Sequence, residues 1–118
     1  FEEFATPLMR QLGWPTLFCN NLEIAPDGRI SGYTLRQKDG KRRAVEALKS
    51  IHMQVIAAGD SYNDISMLTT APAGVLDRPP EPIIADSPDV PDTREYAGLR
   101  REIDRSFSAA GVTRPARF

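Results

Sequence analysis

The stretch Gln54-Val55-Ile56-Ala57-Ala58-Gly59-Asp60-Ser61-Tyr62-Asn63-Asp64-Ile65 decides how the chain is read. Residues 54–58 form a short, mostly apolar run of the kind a buried parallel strand shows, and Ile65, Met67 and Leu68 begin a helical pattern just beyond. Gly59 to Asp64 is then a strand-to-helix loop at the carboxyl end of a strand, where open α/β sheets place their ligands. It holds two carboxylates, Asp60 and Asp64, separated by Ser61, Tyr62 and Asn63. Hard oxygen ligands and an amide in one tight loop suit a magnesium ion that bridges to a phosphate. On the loop alone a plainer reading stands beside this one, in which Asp60 turns the chain after Gly59 and Asn63 caps the following helix.

Outward from the loop, the composition bounds the rest. The chain has 118 residues, 15 Lys and Arg against 16 Asp and Glu, and 41% hydrophobic residues, which fits one domain or part of one with a modest core. Its slight acidity gives no reason to expect nucleic acid, since the only dense basic run is Lys41-Arg42-Arg43 and it leads into a helical pattern. The single Cys19 excludes an internal disulfide and has no metal-cluster spacing, so a reducing, cytoplasmic setting is expected. No apolar run is long enough to span a bilayer. The chain opens with Phe1, straight into an amphipathic segment, and reads as cut from a longer one.

Phe1, Phe4, Leu8 and Leu12 recur at helical spacing and Gly13 stands where a helix stops, with Pro7 either in the first turn of the main helix or kinking a longer one. Thr16 to Cys19 is expected to be a strand, completing one αβ unit. Leu22 to Ile24 and Ile30 to Leu35 alternate around Ala25-Pro26-Asp27-Gly28 and predict a β-hairpin. Asp39 precedes a helix with Ala44, Val45, Leu48 and Ile51 on one face, which puts Lys41 and Arg42 in its first turn. Cations there oppose the helix dipole, and a nearby anion would reverse that penalty. Arg43 reads as part of a solvated face and Lys41 as functional.

After the loop, Ala73 to Leu76 is a further strand, ended by Asp77-Arg78-Pro79-Pro80, and Pro82 to Ala85 is a short helix or turn. Asp92 and Glu95 resemble a capping box for a last helix with the stripe Tyr96, Leu99, Ile103, Phe107, ending at Gly111; residues 113–118 read as a frayed tail. The lone His52 reads as structural or exposed, and Trp14, Tyr33, Met53 and Met67 as packing residues. Ser61 and Ser66 have no histidine partner, which leaves a serine triad little support.

Four blocks in order carry more than the loop does: Phe1-Glu2-Glu3-Phe4 with Pro7-Leu8-Met9, Asn21-Leu22-Glu23-Ile24, Lys38-Asp39-Gly40-Lys41, and Gly59 to Asp64 with Met67-Leu68. Together they resemble the carboxy-terminal part of a phosphatase of the haloacid dehalogenase superfamily. The similarity is to the phosphoserine phosphatase branch that includes bifunctional phosphoserine phosphatase/homoserine phosphotransferases, and it weakens beyond Leu76. The resemblance implies an α/β fold: a Rossmann-like parallel sheet, incomplete here, with the hairpin as an excursion and residues 1–112 as part of the core domain. It implies Mg2+ as cofactor and phosphoserine as substrate, with the phosphoryl group passing through an aspartyl-phosphate to water or to homoserine. It further implies Asp60 as the metal ligand, Asp64 as the second carboxylate orienting metal shell or lysine, and Asn63 as the amide contacting phosphate or substrate, with Ser61 beside it. Lys41 matches the lysine that neutralises the attacking carboxylate and the phosphoryl oxygens, with Lys38 a competitor for that role. Transferase-type members imply a homodimer.

The chain departs from the pattern in one large respect. The reacting aspartate of this family sits in an Asp-x-Asp or Asp-x-Glu pair, and neither occurs in this sequence. The chain by itself is therefore expected to be inactive, and the intact protein active. A phosphatase for another small phosphomonoester and a non-catalytic binding module are the alternative readings.

Overall fold

The computed structural model describes residues 1–111, which form two compact units, the first Phe1–Gly40 and the second beginning at Lys41. The expected tail at 113–118 lies outside the described residues.

In the first unit α1 (Glu2–Gln11) is followed by a hairpin of β1 (Asn21–Ile24) and β2 (Ile30–Thr34). Pro7 lies inside α1, and the helix closes through Leu12 into Gly13, whose φ of 76° is the left-handed geometry expected after a helix end. The hairpin is antiparallel, with Leu22 opposite Tyr33, and turns at Gly28 with φ 84°. Asn21 donates to the Glu2 carboxylate and the Leu22 N–H to that of Glu3 (3.0 Å), which ties the first turn of α1 to β1.

Two expectations fail in this unit. Residues 16–19 are not a strand; Leu17 and Phe18 are exposed, and Phe18 instead lies under the Arg36 guanidinium, 4.9 Å from its ring centre. A strand needs a neighbour for its backbone groups, and no described residue offers 16–19 a ladder. Trp14 and Tyr33 are also exposed rather than packed: one helix and a two-stranded hairpin have too little surface to bury them.

The second unit is built on a parallel sheet ordered β3 (Ile56–Gly59), β4 (Ala73–Asp77), β5 (Asp92–Thr93). Helix α2 (Gly40–Ser50) precedes β3 and buries Val45. A single turn over Tyr62–Asp64 leads from β3 into α3 (Ile65–Thr70), α4 (Glu81–Asp86) follows β4, and α5 (Tyr96–Ala109) follows β5. Ala57, Leu68, Leu76 and Ile83 form the core, with Ile65, Met67, Ala71 and Val90 against it. Close packing of α3 on β4 requires Gly74, because a Cβ there would collide with the Leu68 carbonyl.

Here too the reading needs correction. Asp92 belongs to β5 and Glu95 is the residue before α5, so the capping box does not form; Asp92 and Thr93 pair instead with Leu76 and Asp77 of β4. Tyr96 and Met53 are exposed rather than core. The stop of α5 at Gly111 is as expected: the helix runs to Ala109, Ala110 caps it, and Gly111 follows with a left-handed φ of 68°. His52 is exposed just past α2, at φ 63°. No described helix is long and apolar enough to cross a membrane.

Candidate active site

The turn after β3 is organised by one buried carboxylate. Asp64 is 3% exposed, and its Oδ2 accepts the backbone N–H groups of Asp60 (3.0 Å) and Ser61 (3.1 Å) and the Ser61 hydroxyl (2.8 Å). Its own N–H returns to the Ser61 carbonyl at 2.9 Å. The spacing explains this closure: three residues after an extended Ser61, a carboxylate lies where it reaches back to the start of the turn. Gly59 is required by the same closure, since a Cβ at that position would stand 2.5 Å from both Cβ and Cγ of Asp64.

The other oxygen faces a cation. Lys41 Nζ donates to Asp64 Oδ1 at 2.5 Å, from the first turn of α2 to the loop after β3. Burial alone pushes the Asp64 carboxyl up, but the Lys41 ammonium, the Ser61 hydroxyl and the Asp60 N–H outweigh it and hold the group below the usual carboxylate range. Asp64 is therefore a fixed anion, buried and four-fold hydrogen-bonded, and Lys41 is held beside the loop with its side chain half exposed.

Asp60 is exposed and lines an open depression of about 390 Å³ with Ala58, Gly59, Asp77, Arg78 and Leu99. Asn63 is exposed, its Oδ1 beside the Ser61 hydroxyl, and Ser61 is half-buried. Tyr62 Oη donates to Asp86 Oδ2 at 2.7 Å, tying the turn to the end of α4. Lys38 is exposed in the first unit, and within the second unit the Lys41 ammonium meets the loop. The second unit thus brings Lys41, Asp60, Ser61, Asn63 and Asp64 together at the carboxyl end of β3.

The residues fit a magnesium ion of one particular kind. Among the described residues no three His, Cys, Asp or Glu side chains gather to cage a metal. Mg2+ is commonly held by one or two carboxylates plus substrate phosphates, its remaining positions filled by water. An exposed Asp60 beside a carboxylate already committed to Lys41 is compatible with that donor set.

The sequence reading missed Gly59 as a steric necessity and Asp77 and Arg78 as residues of the same depression. The second omission had a usable signal, because the end of a parallel strand adjacent to β3 faces the same crevice.

No family model matches the chain. It is 53% identical over 108 residues to the phosphoserine phosphatase ThrH of Pseudomonas aeruginosa, covering 92% of this chain and 53% of the relative. It is 48% identical over 102 residues to a phosphoserine phosphatase of Pseudomonas syringae pv. tomato, covering 86% of this chain and 43% of that protein. The chain spans about half the length, or less, of the curated relatives it matches. Its fold superimposes with a TM-score of 0.67, at 20% identity, on a probable phosphoserine phosphatase from Vibrio cholerae, over 92% of this chain and 36% of that one. In sequence the chain is a homologue of curated phosphoserine phosphatases, and in fold an α/β protein of the haloacid dehalogenase type.

Proposed function

We propose that this chain supplies the lysine and the magnesium-binding loop of a phosphoserine phosphatase. In this reading Asp60 would hold Mg2+, and the metal when bound would supply neutralisation of charge on the phosphoryl group. Lys41, fixed by Asp64, adds a second positive charge at the same place. Asn63 and Ser61 contact the phosphate or the substrate. Phosphoryl transfer asks the protein mainly for positioning and charge stabilisation, and these are the tasks such residues perform. The reacting carboxylate would come from a segment whose Asp-x-Asp or Asp-x-Glu pair this sequence does not contain. It would take the phosphoryl group from phosphoserine, release serine, and pass the group to water or to homoserine.

The observation that carries the reading is the contact of Lys41 with Asp64 directly beside Asp60, at the end of a parallel strand. A chimera tests it: the matching segment of the Pseudomonas aeruginosa relative is replaced by this chain, and phosphate release from phosphoserine is followed with and without Mg2+. Magnesium-dependent turnover that collapses in Asp60→Asn and Lys41→Met is expected, and phosphohomoserine formed with added homoserine would establish the transferase route. A folded chimera that turns over phosphoserine equally well with Asn at position 60 would overturn the assignment. Equal turnover of unrelated phosphoesters would make it a phosphatase of broader range.

A further inference from the structure

We infer that Tyr62 is a positioning residue for the loop after β3: its hydroxyl, moored on Asp86 at the end of α4, holds the turn in the arrangement from which Asp60 and Asn63 meet their ligands. The inference rests on the phosphatase reading and adds to it a residue pair that touches neither metal nor substrate. Tyr62 stands in the middle of the turn, two residues after Asp60 and next to Asn63. Its Oη donates to Asp86 Oδ2 at 2.7 Å, across 24 positions of sequence. Tyr62 is 56% exposed, so packing does little to place the ring, and the charge-assisted bond at its tip fixes its direction.

The two ends of this bond differ in firmness. Asp86 closes α4, whose Ile83 is buried in the core beside Ala57, Leu68 and Leu76. Pro79, just ahead of the helix, is fully buried, and Ser87, just after it, is buried with its N–H on the Ile84 carbonyl at 3.2 Å. A short helix seated in this way is a fixed post. The turn, by contrast, exposes Asp60, Tyr62 and Asn63. Its clamp on Asp64 Oδ2 closes the backbone of Asp60 and Ser61 but does not reach the Asp60 carboxylate, which follows wherever the closed turn sits. Two ties seat the turn on its neighbours: Lys41 of α2 onto Asp64, and Tyr62 onto Asp86 of α4. A ligand met by several groups of one loop binds only to the fraction of molecules that present them together. A tie that raises this fraction raises affinity by the same factor without touching the ligand.

The test is a Mg2+ titration of the 118-residue chain, followed by the amide shifts of Asp60 to Asp64, with backbone order parameters of the same residues measured before metal is added. Mg2+ should move these amides in the wild type, and Asp60→Asn should weaken binding at least roughly tenfold. Tyr62→Phe, which removes only the hydroxyl, and Asp86→Ala should each weaken Mg2+ binding roughly two- to tenfold, the range for a charge-assisted bond at an exposed site, and lower the order parameters of Asp60 to Asn63. The double variant should lose no more than either single one, and Asp86→Asn, which keeps an oxygen acceptor, should recover most of the affinity. Variants whose urea midpoint falls while Mg2+ affinity and loop order parameters stay at wild-type values would overturn this inference alone, as would single losses that add in the double variant. A wild-type loop that ignores Mg2+, or one that binds it equally well after Asp60→Asn, would overturn the inference together with the phosphatase reading.

Discussion

Replacing Lys41 by Met isolates the contact on which the site is built. The substitution keeps most of the aliphatic length and removes the ammonium, leaving Asp64 buried without its counter-charge. Breaking a fully buried ion pair from one side costs about 3–5 kcal/mol. Here the lysine is half exposed, and Asp64 keeps the Asp60 and Ser61 N–H groups and the Ser61 hydroxyl, so screening and the remaining bonds reduce the loss to about 1–2 kcal/mol. At a urea slope near 1–1.5 kcal/mol per molar, that moves the unfolding midpoint of the chain down by about 1 M at pH 7. The pH dependence carries the sharper signature. Because the Asp64 carboxyl is held low in the folded chain, its contribution is present above the unfolded value, near 4, and is lost as pH falls through the folded value. The gap between wild type and Lys41→Met should therefore be widest above pH 5 and close in acid. Equal midpoints at pH 7, or a gap that persists unchanged to pH 2, would refute the account of Asp64 as an anion fixed by Lys41.

Other substitutions probe separate parts of the same argument. Gly59→Ala should cost about 1–3 kcal/mol in urea unfolding, because its new methyl stands where Asp64 already is, whereas a wild-type midpoint would mean the turn gives way freely. Asp60→Asn should leave that midpoint unchanged, since the side chain is exposed, yet weaken Mg2+ binding by at least the roughly tenfold lost when outer partners of a metal ligand are removed, as read by isothermal titration. His52→Gly should raise stability by about 0.5–1 kcal/mol through relief of a φ of 63° after α2, less the added freedom of the unfolded chain; a drop in thermal midpoint would show that the imidazole holds something.

Local signals in the chain were enough to mark the β3 loop, the hairpin, the helix carrying Lys41 and the strand after Pro72, because each is set by short-range pattern: an apolar run, alternation about a turn, a helical stripe, a glycine at a stop. The same reasoning failed where a neighbour decides. Residues 16–19 have strand-like composition and no ladder, while Asp92 and Thr93 look like the approach to a helix and become a strand because the Asp77 backbone lies alongside. Trp14, Tyr33 and Met53 have core chemistry and exposed positions, since burial depends on what surface lies opposite.

The site divides in the same way. The pattern around Gly59-Asp60-Ser61-Tyr62-Asn63-Asp64 already implied a tight strand-to-helix loop with two carboxylates, and resemblance named Lys41 and Lys38 as rivals. Only the tertiary placement of α2 brought the Lys41 ammonium to Asp64, 23 positions away, and the fold of the loop left Asp60 open toward the crevice. Only strand register set Asp77 and Arg78 beside Asp60, because sequence distance carries no record of which strand ends share an edge. Local chemistry is written residue by residue; its convergence depends on hydrogen-bonded neighbours that the order of residues does not name.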